Sequence, residues 1–131
     1  MYLLDTDTAS AALKGVVWID RRLKAMSAGA WCISAITRAE LRYGVARRPG
    51  ATALAKVVGA FLAIARTEAW DRRAADVHGR LRAALAASGQ PIGDFDEMIA
   101  AHALATDAIL VTGNLAHFGR IPDLRVENWL R

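Results

Sequence analysis

Four residues into the chain the apolar run Tyr2-Leu3-Leu4 gives way to Asp5-Thr6-Asp7-Thr8, so a carboxylate stands where a buried strand would open into a helix. In open parallel sheets, ligands bind beyond the carboxyl ends of the strands, and acidic side chains there can hold a hard divalent cation. A single carboxylate makes no site. The sequence therefore poses the question of which other oxygen-bearing side chains reach the same edge.

Glu40 lies four residues after Ile36 and three before Tyr43, on their face of a helix and flanked by Arg38 and Arg42. If Thr37 opens that helix, Glu40 completes a capping box. If Ser34 opens it, Glu40 is an internal carboxylate on an apolar stripe and requires a partner. Further on, Asp94-Phe95-Asp96-Glu97 opens another helix, with Asp94 read as N-cap and Glu97 in the capping-box position. Asp96 aligns instead with Ile99, Ala100 and Ala103 on the inward face. It is read as a site residue, against simple helix-dipole stabilisation of the first turn. Asn114 follows the apolar run 108–112 on a loop, where a plain Gly-Asn turn explains it as well as a site does. Asp7 can cap the first helix, and Asp107 precedes a strand, at the wrong edge. His78, His102 and His117 share no metal-ligand spacing, with His117 read as isolated in a loop, which argues against zinc.

The elements that must position these groups follow from the apolar pattern. Residues 2–5 and 108–112 are continuous apolar runs, the mark of short buried parallel strands; 31–33 is a third, with weaker candidates at 67–70 and 125–127. Between them Val16, Ile19, Leu23 and Met26, then Leu54, Val57, Val58, Phe61 and Leu62, then Ala74, Val77, Leu81 and Leu85 recur at helical steps. Strands alternating with helices predict a layered α/β fold around a parallel sheet.

The 131 residues suffice for one domain and one core, and no repeat or low-complexity tract divides them. Although 54% of residues are hydrophobic, the longest strongly apolar stretch, 57–65, is far short of the roughly 18 needed to span a bilayer. No signal-peptide pattern opens the chain, so a cytoplasmic protein without membrane attachment is expected. The single Cys32 has no internal disulfide partner and reads as a buried structural thiol. Seventeen basic against thirteen acidic residues give a net charge of +4, carried mainly by arginine, which suits a polyanionic partner.

Taken in order, Tyr2-Leu3-Leu4-Asp5-Thr6-Asp7, Ser34 to Leu41, Pro91 to Ala103 and Leu110-Val111-Thr112-Gly113-Asn114 resemble the PIN-domain ribonucleases, and among them the VapC-type toxins of bacterial toxin-antitoxin pairs. The resemblance covers nearly the whole chain, to Val126-Glu127-Asn128-Trp129. It implies a three-layer α/β/α sandwich with a central parallel sheet of four to five short strands. It also implies a metal-dependent endoribonuclease with Asp5, Glu40 and Asp96 as metal ligands for Mg²⁺ or Mn²⁺ and Asn114 as a fourth catalytic position. Two departures stand out: Asn114 replaces an aspartate common in the family, and Asp7 adds a charge where a neutral residue is usual. Implied partners are an RNA such as tRNA or rRNA, a cognate antitoxin, a second copy of the chain, and operator DNA only through the antitoxin.

Two other readings compete. Leu3-Leu4-Asp5-Thr6-Asp7-Thr8 also resembles the nucleophile motif of haloacid-dehalogenase-type phosphatases, in which Asp5 would attack phosphorus. That chemistry expects a late lysine and a strand feeding a Gly-Asp motif, but the last lysine is Lys56 and Gly93-Asp94 follows a turn-forming segment. A non-catalytic PIN-like RNA-binding module is the third reading.

Overall fold

The structure is a computed structural model that describes residues 1–130. In chain order it comprises β1 (Tyr2–Leu4), α1 (Thr6–Leu13), α2 (Val17–Ala25), β2 (Trp31–Ser34), α3 (Ala35–Ala46), α4 (Thr52–Ile64) and β3 (Thr67–Glu68). There follow α5 (Arg72–Ala87), α6 (Asp94–Thr106), β4 (Ile109–Val111), α7 (Leu115–Phe118) and β5 (Val126–Glu127). The five strands form one sheet in the order β3-β2-β1-β4-β5, every neighbouring pair parallel.

Alternation along these short strands divides the apolar side chains between two cores. Leu3, Cys32 and Leu110, matched in register, point to one face, where Leu81, Leu85, Ile99 and Ala103 of α5 and α6 cover them. Leu4, Ile33 and Val111 point to the other, beneath Ala9, Ile19, Val58, Phe61 and Leu62 of α1, α2 and α4. Both faces are thus apolar, which is why the strands read as unbroken hydrophobic runs. The architecture is the three-layer α/β/α sandwich, with five strands. Cys32 is fully buried, as its neighbours Trp31 and Ile33 suggest.

From β1 the chain builds outward through β2 and β3, then returns to lay β4 against the free edge of β1. The order therefore reverses between β1 and β4, and such switch points open a crevice beyond the carboxyl ends of the strands. Beyond the last strand, Trp129 folds back into the α1/α2/α4 core and is 2% exposed. No described helix is long and apolar enough to cross a membrane.

Candidate active site

Asp5 follows β1 directly and caps α1: its Oδ1 accepts from Thr8 N at 2.8 Å. Its own N–H donates to Val111 O at 3.0 Å, as does the Thr8 hydroxyl, so the end of β1 is fastened to the end of β4. The cap is therefore Asp5; Asp7 is an exposed first-turn residue and does not cap. Asp5 is only 3% exposed. Burial raises its carboxyl above the ordinary range, hydrogen bonds from Thr112 and Thr8 work against that, and the charge of Asp7 adds to it.

Ser34 opens α3, its Oγ accepting from Ile36 N at 3.0 Å, which leaves Glu40 internal to the helix. The partner it required is Thr6, whose hydroxyl donates to Glu40 Oε1 at 2.7 Å. That proton being committed, the 3.0 Å contact between the Thr6 and Thr37 hydroxyls has Thr37 as donor. Glu40 is thereby tied to α1, one residue from Asp5. No sequence pattern pointed to this threonine pair.

Ser34 also faces α6. Its hydroxyl lies 2.8 Å from His102 Nδ1, and burial holds His102 below its ordinary range, so a neutral ring and the hydroxyl share a hydrogen bond there. Ser34→Ala is expected to cost about 1–2 kcal/mol, from the lost cap and a buried ring nitrogen left unpaired. Urea unfolding measures this; an unchanged midpoint would dismiss the bridge between the two helices.

The first turn of α6 stands at the carboxyl edge, because a helix leading into β4 runs antiparallel to it. Asp96 is partly buried there, with its carboxyl pushed up to about 6, first by burial and then by the charges of Asp5, Glu40 and Asp7, with His117 opposing. Its neighbours in the sequence depart from the capping-box reading. Gly93, at φ +101°, takes the N-cap position with no side-chain bond, and Asp94 is the first residue of the helix, 3.2 Å from Arg82 on the surface. Glu97 is turned inward against α5, 3.8 Å from His78 Nε2 and 4.0 Å from Arg82 Nε. A glycine able to adopt positive φ starts the helix one residue early, which rotates Glu97 away from any cap.

Asn114 follows β4 and caps the short α7; its amide nitrogen donates to His117 Nδ1 at 2.9 Å and its backbone N–H to Thr112 Oγ1 at 2.9 Å. His117 is thus a helical residue joined to Asn114, whereas the sequence reading left it alone in a loop. Lys56 lies exposed on α4, and Gly93-Asp94 begins a helix without a preceding strand, so the phosphatase motif has no second half.

Asp5, Glu40, Asp96 and Asn114 consequently arise from four segments that meet at one edge of the sheet. Among the described residues no arginine, lysine or histidine forms an ion pair with Asp5, Asp7, Glu40 or Asp96. Nor do three acidic, histidine or cysteine side chains close into a ready metal cage there. Uncompensated hard oxygens suit Mg²⁺ or Mn²⁺, and Mg²⁺ retains waters while taking only one or two carboxylates directly, so an open set fits it.

The uncompensated charge has a measurable consequence. Between pH 3.8 and about 6 the folded chain keeps a proton on Asp96 that the unfolded chain has lost, so stability falls as pH rises through that window. In chelator, Asp96→Asn is expected to remove this decline and to exceed the wild type above pH 6 by about 1 kcal/mol, after solvent screening. Asp5→Asn, whose amide oxygen can still accept from Thr8 N, should gain in the same sense. Thermal melts at pH 4.5 and 7 decide it; parallel pH profiles for wild type and Asp96→Asn would show that the fold does not raise the Asp96 carboxyl.

Comparison with known proteins agrees with this fold. Residues 2–124 match the PIN domain family. The chain is 36% identical over 128 residues to the tRNA(fMet)-specific endonuclease VapC of Salmonella typhimurium, covering 98% of this chain and 97% of that one. It is 35% identical to ribonuclease VapC2 of Haemophilus influenzae, over 98% of each. Among solved structures, VapBC2 of Rickettsia felis bound to a promoter DNA fragment superposes with a TM-score of 0.91 at 33% identity, over 98% of both chains. The DNA-bound VapBC of Salmonella typhimurium gives 0.92 at 36%, over 98% of this chain and 97% of the other. On its fold, its ordered acidic segments and these full-length matches, the chain belongs to the PIN-domain family, among the VapC ribonucleases.

Proposed function

We propose that this chain is a metal-dependent endoribonuclease that hydrolyses RNA with Asp5, Glu40 and Asp96 around Mg²⁺ or Mn²⁺, and that it acts in the cytoplasm as the toxin of an antitoxin pair. The observation that supports the reading best is that Asp5 at the end of β1, Glu40 on α3 and Asp96 in the first turn of α6 lie close enough for the Asp5 and Glu40 charges to act on Asp96, with no ion pair to offset them. A divalent cation would relieve that repulsion. The bound ion would supply a water of lowered pKa and stabilise charge on the scissile phosphate. The chain's own part is orientation: Thr8 N–H fixes Asp5 Oδ1 and the Thr6 hydroxyl fixes Glu40 Oε1. Asp96 would complete the acidic set from α6, and Asn114, held by Thr112 and His117, offers a neutral polar group in place of a fourth charge. Products would carry a 3′-hydroxyl and a 5′-phosphate.

The antitoxin complexes among the relatives, together with the apolar surface of α4, where Val57 and Ile64 are exposed, support an inhibitory protein partner and a homodimer; operator DNA would be reached only through that partner. The function is tested by incubating the purified protein with structured RNAs, tRNAs and rRNA fragments included, in Mn²⁺ and in chelator. Cleavage confined to the Mn²⁺ samples is expected; none in either would leave the non-catalytic RNA-binding reading. Growth arrest on expression alone, relieved by a neighbouring small protein, tests the toxin role, and light scattering tests the dimer.

A further inference from the structure

Two aromatic side chains beside the acidic edge belong to neither apolar core. Tyr43 is 65% exposed and Phe95 56% exposed. Tyr43 lies one helical turn beyond Glu40 on α3, and Phe95 immediately precedes Asp96 on α6. Together with Ala39 and Glu40 they line an open cavity of about 600 Å³. Glu40 is also part of the wall of a second cavity, of about 540 Å³, whose margin carries Lys14, Arg47 and Arg48. The two cavities therefore adjoin at a candidate metal ligand, one lined by two aromatic rings and the other by an apolar wall that includes Leu41, Leu54 and Val58, with the three basic side chains beside it. Arg47 connects them, its guanidinium carbon 5.6 Å from the Tyr43 ring centre, where the cation holds the ring by its π-face.

A polynucleotide has the same division, with charged phosphates along its backbone and flat apolar bases to the side. We propose that Tyr43 and Phe95 form a stacking cleft for an unpaired nucleobase adjoining the scissile phosphate, while Lys14, Arg47 and Arg48 take the phosphates on the far side of Glu40. The inference rests on the ribonuclease reading and assigns Tyr43 and Phe95 to positioning the substrate. Bases in a duplex are already stacked on their neighbours and cannot splay into a lateral cleft, whereas loop and single-stranded bases can, and aromatic stacking accepts any of the four.

The test uses a single-stranded oligoribonucleotide containing 2-aminopurine, whose fluorescence is quenched by stacking, titrated in chelator so that nothing is cut. Tyr43→Leu and Phe95→Leu keep apolar bulk but lose the flat face; Tyr43→Phe and Phe95→Tyr keep the face. The leucine variants are expected to bind about 5- to 20-fold more weakly with less quenching, and the aromatic variants to match the wild type. In Mn²⁺ the leucine variants should show that loss in KM more than in kcat. Leucine variants that bind, quench and cut like the wild type overturn the cleft and leave the ribonuclease reading intact. A wild type that neither binds nor cuts any RNA overturns both. Leucine variants that dissociate a dimer in light scattering, with RNA binding lost only in proportion, assign the two rings to contact between copies of the chain and overturn the cleft.

Discussion

Asp96→Asn is expected to slow metal-dependent RNA cleavage roughly 10³-fold, because a bound metal supplies several kcal/mol of transition-state stabilisation and each 1.36 kcal/mol is a factor of ten. The substitution changes an oxygen to an amide nitrogen at constant shape, and the side chain lies in the first turn of α6 with part of its surface in water. Folding should survive. Removing the charge relieves repulsion from Asp5 and Glu40, so the variant should melt no lower than the wild type in chelator while gaining much less from Mn²⁺. That pairing separates a ligand from a structural carboxylate: a helix-dipole role predicts a lower melting point and an unchanged Mn²⁺ shift. Single-turnover cleavage measures the rate, and wild-type speed in the variant would remove Asp96 from the site.

Trp129→Ala should cost about 3–5 kcal/mol, a large part of the 5–15 kcal/mol that holds a domain of this kind together. The indole is buried against the same core as Leu4, Ile19 and Val111, with its ring centre 5.1 Å from that of Tyr2. Its Nε1 donates to Glu127 Oε1 at 3.1 Å, and Arg22 lies 5.2 Å above the ring. Truncation would leave a cavity beneath β1 and release the tail after β5 from α2. Trp129→Phe retains the ring stacking and most of the volume and should lose much less. Equilibrium urea unfolding gives both values; a loss below about 1 kcal/mol for the alanine variant would mean that the tail packs without contributing.

Much of this arrangement was legible in the sequence, for identifiable reasons. Strands buried on both faces must be apolar without interruption, so Tyr2–Leu4 and Ile109–Val111 stood out, and with them the positions of Asp5 and Asn114 at their carboxyl ends. Helical periodicity located α2, α4 and α5, whereas the start of α3 stood open between Ser34 and Thr37 until the Ser34 cap decided it. Local motifs misled where two residues could fill one role. Asp94 and Glu97 satisfy a capping-box pattern, but Gly93 starts the helix and Glu97 is buried against His78 and Arg82. Asp5 and Asp7 are both suitable caps, and only strand pairing with β4 decides for Asp5. The four-residue α7 is too short for any period to reveal, which hid the bond between Asn114 and His117. Thr6 and Thr37 meet 31 residues apart, beyond the reach of a spacing argument.

The position of β1 at the middle of the sheet also orders events in time. One edge of β1 is filled by β2, fewer than thirty residues downstream, but the other waits for β4, and the Thr8–Val111 bond that closes the crevice spans 103 residues. Synthesis delivers Asp5 and Glu40 early and Asp96 late, and contacts of such long range form slowly because the intervening chain must first be gathered. A nascent chain that has not yet released β4 from the ribosome therefore lacks the strand against which the crevice closes, even where α6 and Asp96 have already emerged. The crevice is closed by the last strands of the chain, so the topology ties its completion to the end of synthesis.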